Sequence, residues 1–269
     1  ECLRGDGAYL AFRAPVTSAG GEERHRVVRR RGRKLVEELV GADTFMALFQ
    51  DNLMCHPADI FVPCGGRPAT IDGGNWRTFC PDGTPSARAI VEGANSYLTP
   101  DARDALQAAG VWIIKDASAN KCGVITSSYE VISGLLLDRA EFLRLKPRLV
   151  PQIMAILQLR ARREADWLFL QHRKTGRPLT ALTDELSGEI NRKNDEVRAW
   201  LAAPPPRPEI IRDAIKAHLP PLLAELADRR RDRLPEEYRL AIAAVELACR
   251  IVYDRARSLE DEIAAVTAS

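Results

Sequence analysis

At 269 residues and 46% hydrophobic composition, the chain is long enough to bury a core as one large or two modest domains. Its 39 Lys and Arg against 37 Asp and Glu leave a net charge of +2, far from the basic domain that nucleic acid binding requires and no argument for acidic partners. No run reaches the roughly 18 apolar residues of a membrane span, and the cysteines at 2, 55, 64, 80, 122 and 249 show no C-x-x-C pair or His spacing, which weakens zinc and disulfide-framework readings and fits a reducing compartment.

Tyr9 to Arg13 alternates weakly like a strand, Thr17 to Gly21 breaks it, and Glu22 to Lys34 reads as a charged, solvated face. The chain opens on Glu1 rather than Met, so sequence upstream of it is expected to have been removed. From Arg33 to Asn52, Leu35, Val36, Leu39, Phe45, Leu48 and Phe49 recur near helical spacing, predicting one broken helix or two short ones divided at Gly41.

The period then changes. Asp59 to Pro63 reads as a short buried strand emptying into Gly65-Gly66, and Arg88 to Glu92 as a second strand closed by Gly93. Thr99-Pro100-Asp101 has the order of N-cap, first helical position and dipole-favoured acid, and Gly110 has the place of a helix stop. Val111 to Ile114 is the third strand. Strand, helix and strand with tight connections predict a parallel sheet covered on its faces. After Asn120 the pattern is helical throughout: Val124 to Leu137, Pro151 to His172, Leu182 to Leu201, Glu209 to Arg229, and Pro235 to about Ala265. Leu182, Leu186, Ile190, Val197 and Leu201 form a narrow stripe, and the four prolines within 203–208 mark a candidate hinge.

No G-x-G-x-x-G, nucleophile elbow, H-E-x-x-H or P-loop is present. The signal is a constellation: three successive strand ends empty into Cys64-Gly65-Gly66, Gly93-Ala94-Asn95 and Ala117-Ser118-Ala119-Asn120. In an open α/β sheet, ligands lie beyond the carboxyl ends of strands, where small residues admit a ring or sugar and amides meet a carboxamide or hydroxyl. Each residue also has a structural reading. The glycines suit tight turns, Asn95 and Asn120 suit caps, and Ser127 suits a helix-surface or back-bonding position. Cys64 and Cys122 read as small buried residues, Lys115-Asp116 as an ion pair or cap, and His56 and His172 as surface or packing histidines.

The segments DIFVPCGGRPATI, IVEGANSYLTPDA and KDASANKCGVITSSYEV, in this order and spacing, resemble the large NAD-specific glutamate dehydrogenases of fungi and bacteria over residues 59–137, and more loosely through LTDELSGEINRKNDEV at 182–197. The resemblance implies the second half of a Rossmann-like dinucleotide-binding domain in residues 1–137, followed by a helical carboxy-terminal region in 138–269 of a longer α/β enzyme. By that resemblance, Cys64, Gly65 and Gly66 run beside the ribose of NAD, Asn95 holds the nicotinamide end, and Asn120 is a second amide near nicotinamide and substrate. Gly123 and Val124 wall the substrate pocket, and Ser127 binds the distal carboxylate of L-glutamate. Cys122 stands where many relatives have a glycine.

The implied reaction is oxidative deamination of glutamate to 2-oxoglutarate and ammonia with hydride transfer to NAD. Its proton-transfer Lys and Asp, the phosphate loop and the acidic ribose ligand are expected upstream, so this piece alone is expected to be inactive. A cytoplasmic homo-oligomer is the implied setting, or a mitochondrial one in a eukaryote. Two other readings stand beside it: a dehydrogenase of leucine, valine or phenylalanine, which Ser127 disfavours, and a non-catalytic binding or assembly module.

Overall fold

Phe61, Ile90 and Ile113 stand side by side in one register row, with Ile60, Ala89 and Trp112 in the next. This alternation orients the sheet that carries the candidate site. The structure is a computed structural model that describes residues 9–17, 20–51, 57–65 and 67–254. Gly66, Cys2, Cys55, His56 and the expected run of the last helix to about Ala265 lie outside the described residues.

An antiparallel sheet comes first, made of β1 (Tyr9–Thr17), β2 (Glu23–Arg31) and β3 (Lys34–Val40) in that order, followed by α1 (Ala42–Asp51). This corrects two expectations. The charged run at 22–34 is mostly β2, and the first half of the expected helix at 33–52 is β3. In KLVEELV the apolar spacing fits either period, and tertiary pairing decides it: β3 pairs residue for residue with β2 from His25↔Val40 to Arg31↔Lys34, with ion pairs from Arg29 to Glu38 and Arg26 to Glu37.

The second sheet is parallel, in the order β4 (Ala58–Phe61), β5 (Ala87–Val91), β6 (Trp112–Ile114). Two short 3₁₀ turns, Trp76–Phe79 and Pro81–Gly83, lie between β4 and β5, and α2 (Pro100–Ala108) crosses from β5 to β6. Thr99 takes the N-cap position of α2, although its hydroxyl bonds Asp101 rather than a backbone amide, and Gly110 reverses the chain at a φ of 89°. On one face Ile90 and Ile113 pack with Ile71, Phe79, Leu98 and Leu106, each at most 1% exposed. At roughly 1.5–3 kcal/mol per fully buried side chain, this cluster is the main stabiliser of the unit.

The remaining described chain is helical: α3 (Asp116–Ala119), α4 (Lys121–Leu136), α5 (Arg139–Thr175), α6 (Leu179–Ala202), α7 (Pro208–His218), α8 (Pro221–Arg229) and α9 (Glu236–Asp254). Two expected boundaries move. α5 begins at Arg139, not Pro151, because Asp138 and Glu141 form a reciprocal capping box and the helix carries Pro147 and Pro151 inside it. The expected helix at 209–229 is divided after His218, where Pro220 and Pro221 end α7 and start α8.

The stripe from Leu182 to Leu201 is buried as expected. Its first half packs on Trp167 and Leu168 of α5 and touches Ile114 of the sheet, and its second half meets Ala243, Ala244 and Leu247 of α9. α4 also belongs to the helical core, through Tyr129, Ile132 and Leu136 against α7 and α8. α6 is tied to the helices beside the sheet, to α2 by Thr180 Oγ1 donating to Gln107 at 2.8 Å and to α3 by the Ser118–Thr183 hydroxyl contact at 3.0 Å. At 203–208, Arg207 stacks on Trp200 and donates to the carbonyls of Trp200, Ala203 and Pro205, which ties this segment to the end of α6.

Candidate functional site

Because β4, β5 and β6 are parallel, their carboxyl ends share one edge, and the three loops beyond them meet there. The Ala94 N–H donates to the Pro63 carbonyl at 2.7 Å, drawing the β5 loop onto the β4 loop. Gly93 makes that approach possible, since a Cβ there would stand 3.0 Å from Cys64 Sγ and 3.1 Å from the Pro63 oxygen.

Behind the β5 loop lies a buried ion pair. Glu92, fully buried, receives Arg103 of α2 at both oxygens, 2.7 and 2.8 Å. Both charges are desolvated, so the pair persists only because its geometry is bidentate. Arg103 also lies 3.6 Å from Asp116 Oδ1, and Asp116 Oδ2 accepts the Ser96 N–H at 2.7 Å. Ser96 has a φ of 53°, a left-handed conformation that costs a non-glycine residue energy, and the Asp116 contact offsets it. Asn95, one residue earlier, is thereby aimed.

Asn120 stands at the N-cap position of α4, yet its side chain makes no capping bond. Instead its Nδ2 donates to Asn95 Oδ1 at 2.5 Å, across 25 positions of sequence. Gly123 follows within a turn, and a Cβ there would lie 2.9 Å from Asn120 Oδ1. Asn95, Asn120, Gly123, Val124 and Ser127 line one open cleft of about 380 Å³, joined by Asp116 and Lys121. Thr126 and Ser128 bond back to the carbonyls of Cys122 and Ile125, whereas the Ser127 hydroxyl makes no hydrogen bond among the described residues. It is exposed on the cleft side of the helix.

Five of the eight expected site residues therefore share one cleft. Cys64 and Gly65 do not line it; they sit at the end of β4, next to it through Gly93, and Gly66 is outside the described residues. The expectation that Cys64 is buried fails, since the residue is exposed although its Sγ lies beside Gly93 of the neighbouring loop. Cys122 is half-buried, and burial pushes its thiol up, against nucleophilic use. Lys115 pairs with Asp184 of α6 while Asp116 accepts backbone amides, so the two are structural rather than an acid/base couple. His172 packs edge-on against Trp112. Lys121 escapes sequence reading, its one signal being adjacency to Asn120.

The Glutamate/Leucine/Phenylalanine/Valine dehydrogenase profile matches residues 22–158, which include every described residue of the cleft. The chain belongs to this family. Glutamate dehydrogenase 2 of Dictyostelium discoideum is 36% identical to it over 226 residues, 77% of this chain and 21% of the relative. A probable NAD-specific glutamate dehydrogenase of Schizosaccharomyces pombe is 35% identical over 74% of the chain and 19% of the relative, and the NAD-specific glutamate dehydrogenase of Neurospora crassa 34% over 73% and 20%. The chain thus spans about a fifth of the length of these relatives. No solved structure matches it.

Proposed function

We propose that this member of the dehydrogenase family is the nicotinamide-facing and substrate-binding part of a longer NAD-dependent glutamate dehydrogenase. The observation that carries the reading is the cleft itself, where the hydrogen-bonded Asn95–Asn120 pair and the free Ser127 hydroxyl converge at the carboxyl ends of a parallel sheet. The names of the relatives, NAD-specific glutamate dehydrogenases, support cofactor and substrate alike.

Two hydrogen-bonded amides side by side fit the carboxamide of NAD, and the absent Cβ at Gly123 leaves room beside them. NAD, when bound, supplies the hydride acceptor. In this reading Asn95 and Asn120 hold its carboxamide end, Val124 gives an apolar wall, and Ser127 donates to the distal carboxylate of glutamate. Cys64, Gly65 and Gly66 flank the ribose side. The Lys and Asp that move protons, and the phosphate-binding turn, belong in this proposal to the remainder of the longer chain, which assembles as a homo-oligomer in the cytoplasm or a mitochondrion. In this reading the first unit runs to about residue 137, with its last helix, α4, packed into the core of the second, and 203–208 is the link within the second.

The alternative specificity for leucine, valine or phenylalanine leaves the Ser127 hydroxyl facing an apolar side chain without a partner, a cost of roughly 1–3 kcal/mol. In the complete enzyme, Ser127→Ala is expected to raise KM for glutamate about tenfold, the size of one lost polar contact, with KM for NAD unchanged. Steady-state kinetics with glutamate and norvaline check it. An unaltered preference for glutamate would overturn the assignment.

A further inference from the structure

Lys121 is the one cation lining the cleft among the described residues. It is the first residue of α4, where the helix dipole disfavours positive charge, so its presence calls for compensation. That comes from the helical region. The Lys121 ammonium pairs with Glu164 of α5, whose side chain is 4% exposed, and lies 3.4 Å from the Tyr253 hydroxyl of α9. Tyr253 in turn donates to the same Glu164 oxygen at 2.7 Å. Burial, then the Glu164 charge, pushes the Tyr253 hydroxyl up, so it stays a donor.

An ammonium has three N–H donors. Two face Glu164 and Tyr253, and the third has no partner among the described residues, on a side chain that still lines the cleft and is 28% exposed. As a purely structural tie this arrangement is poor. It desolvates Glu164, leaves Glu164 Oε1 buried without a hydrogen bond among the described residues, and sets a cation against a helix N-terminus.

We propose that Lys121 binds a carboxylate of the amino-acid substrate, and that Glu164 and Tyr253 are positioning residues that hold its ammonium at the cleft. This deepens the glutamate dehydrogenase reading and rests on it. α5 and α9, beyond or at the margin of the cleft's own segment, then set the substrate affinity through two side chains.

The test is steady-state kinetics of the complete enzyme with both substrates varied. Lys121→Met is expected to raise KM for glutamate at least about tenfold, the size of one charge-assisted hydrogen bond, with KM for NAD unchanged and Lys121→Arg recovering most of the loss. Tyr253→Phe, which removes only a hydroxyl, is expected to raise KM for glutamate about threefold with little change in kcat, and it carries the test if Lys121→Met does not fold. A lowered melting temperature with glutamate KM unchanged in both variants would make the triad structural and overturn the proposal. So would a rise confined to KM for NAD. A wild-type enzyme that oxidises leucine instead would sink the glutamate reading alone, because Lys121→Met then still has to raise KM for leucine, through its α-carboxylate.

Discussion

Gly123 separates helix propensity from site geometry. It lies in the first turn of α4, exposed, where Gly→Ala ordinarily stabilises a helix by up to about 1 kcal/mol. Here the new methyl would stand 2.9 Å from Asn120 Oδ1, so the Asn120 side chain has to turn and give up Asn95. Gly123→Ala is therefore expected to leave the melting temperature of the complete enzyme unchanged or slightly raised, while weakening NAD binding about fivefold, the worth of one hydrogen bond near 1 kcal/mol. Calorimetry with NAD checks it, and unchanged affinity would show that the amide pair does not meet the cofactor. The small and amide character of these loops was legible in sequence. Their mutual bonding was not, because the Asn95–Asn120 contact, like Asp116 to Ser96, joins residues at least 20 positions apart through the fold alone.

At the scale of elements, the helical region is tied by carboxylates whose protonation matters. Glu141 accepts both Nη atoms of Arg230, at 2.8 and 2.6 Å, and these bonds hold its pKa at about 2 rather than 4.5. Burial alone would push Glu246 up, but His218 at 3.1 Å and Arg160 and Arg250 outweigh it and hold it near 2 as well. Each folded-state pKa lies below its unfolded value. Their contribution is thus complete above about pH 4.5 and is lost as pH falls toward 2. The melting temperature of the helical region, followed by circular dichroism, is expected to decline across that window, and Glu246→Gln to shrink the decline. A flat profile from pH 5 to 3 would refute the coupling.

The elements themselves were unevenly legible. β4, β5, α2 and β6 follow from short apolar runs bounded by Gly and Pro, and α6 from its stripe. β3 did not, since Leu35, Val36 and Leu39 fit a helix until β2 is laid beside them. α5 hid its first three turns behind Pro147 and Pro151, although the Asp138–Glu141 box was there to be read.

For the whole molecule, the two faces of the parallel sheet are unequal. Phe61, Ile90 and Ile113 face the core under α2, but in the Ile60–Ala89–Trp112 row Ile60 is 56% and Trp112 52% exposed, over an open cavity of about 560 Å³. Parallel sheets are ordinarily covered on both faces, and here Trp112 is covered only in part, by Phe169 and His172, so the half-open apolar row is a surface for association. The chain spans about a fifth of its relatives, and in the longer enzyme proposed above the remaining chain is the expected cover. Ile60→Lys separates the two settings. In the chain produced alone it is expected to leave folding intact and reduce self-association, seen as a lower apparent mass by light scattering at a given concentration. In the complete enzyme, under an apolar cover, the same lysine is expected to lower the melting temperature by several degrees, since an unpaired buried charge is among the costliest single changes. An equal loss of stability in both settings would mean that this face is already packed in the chain alone.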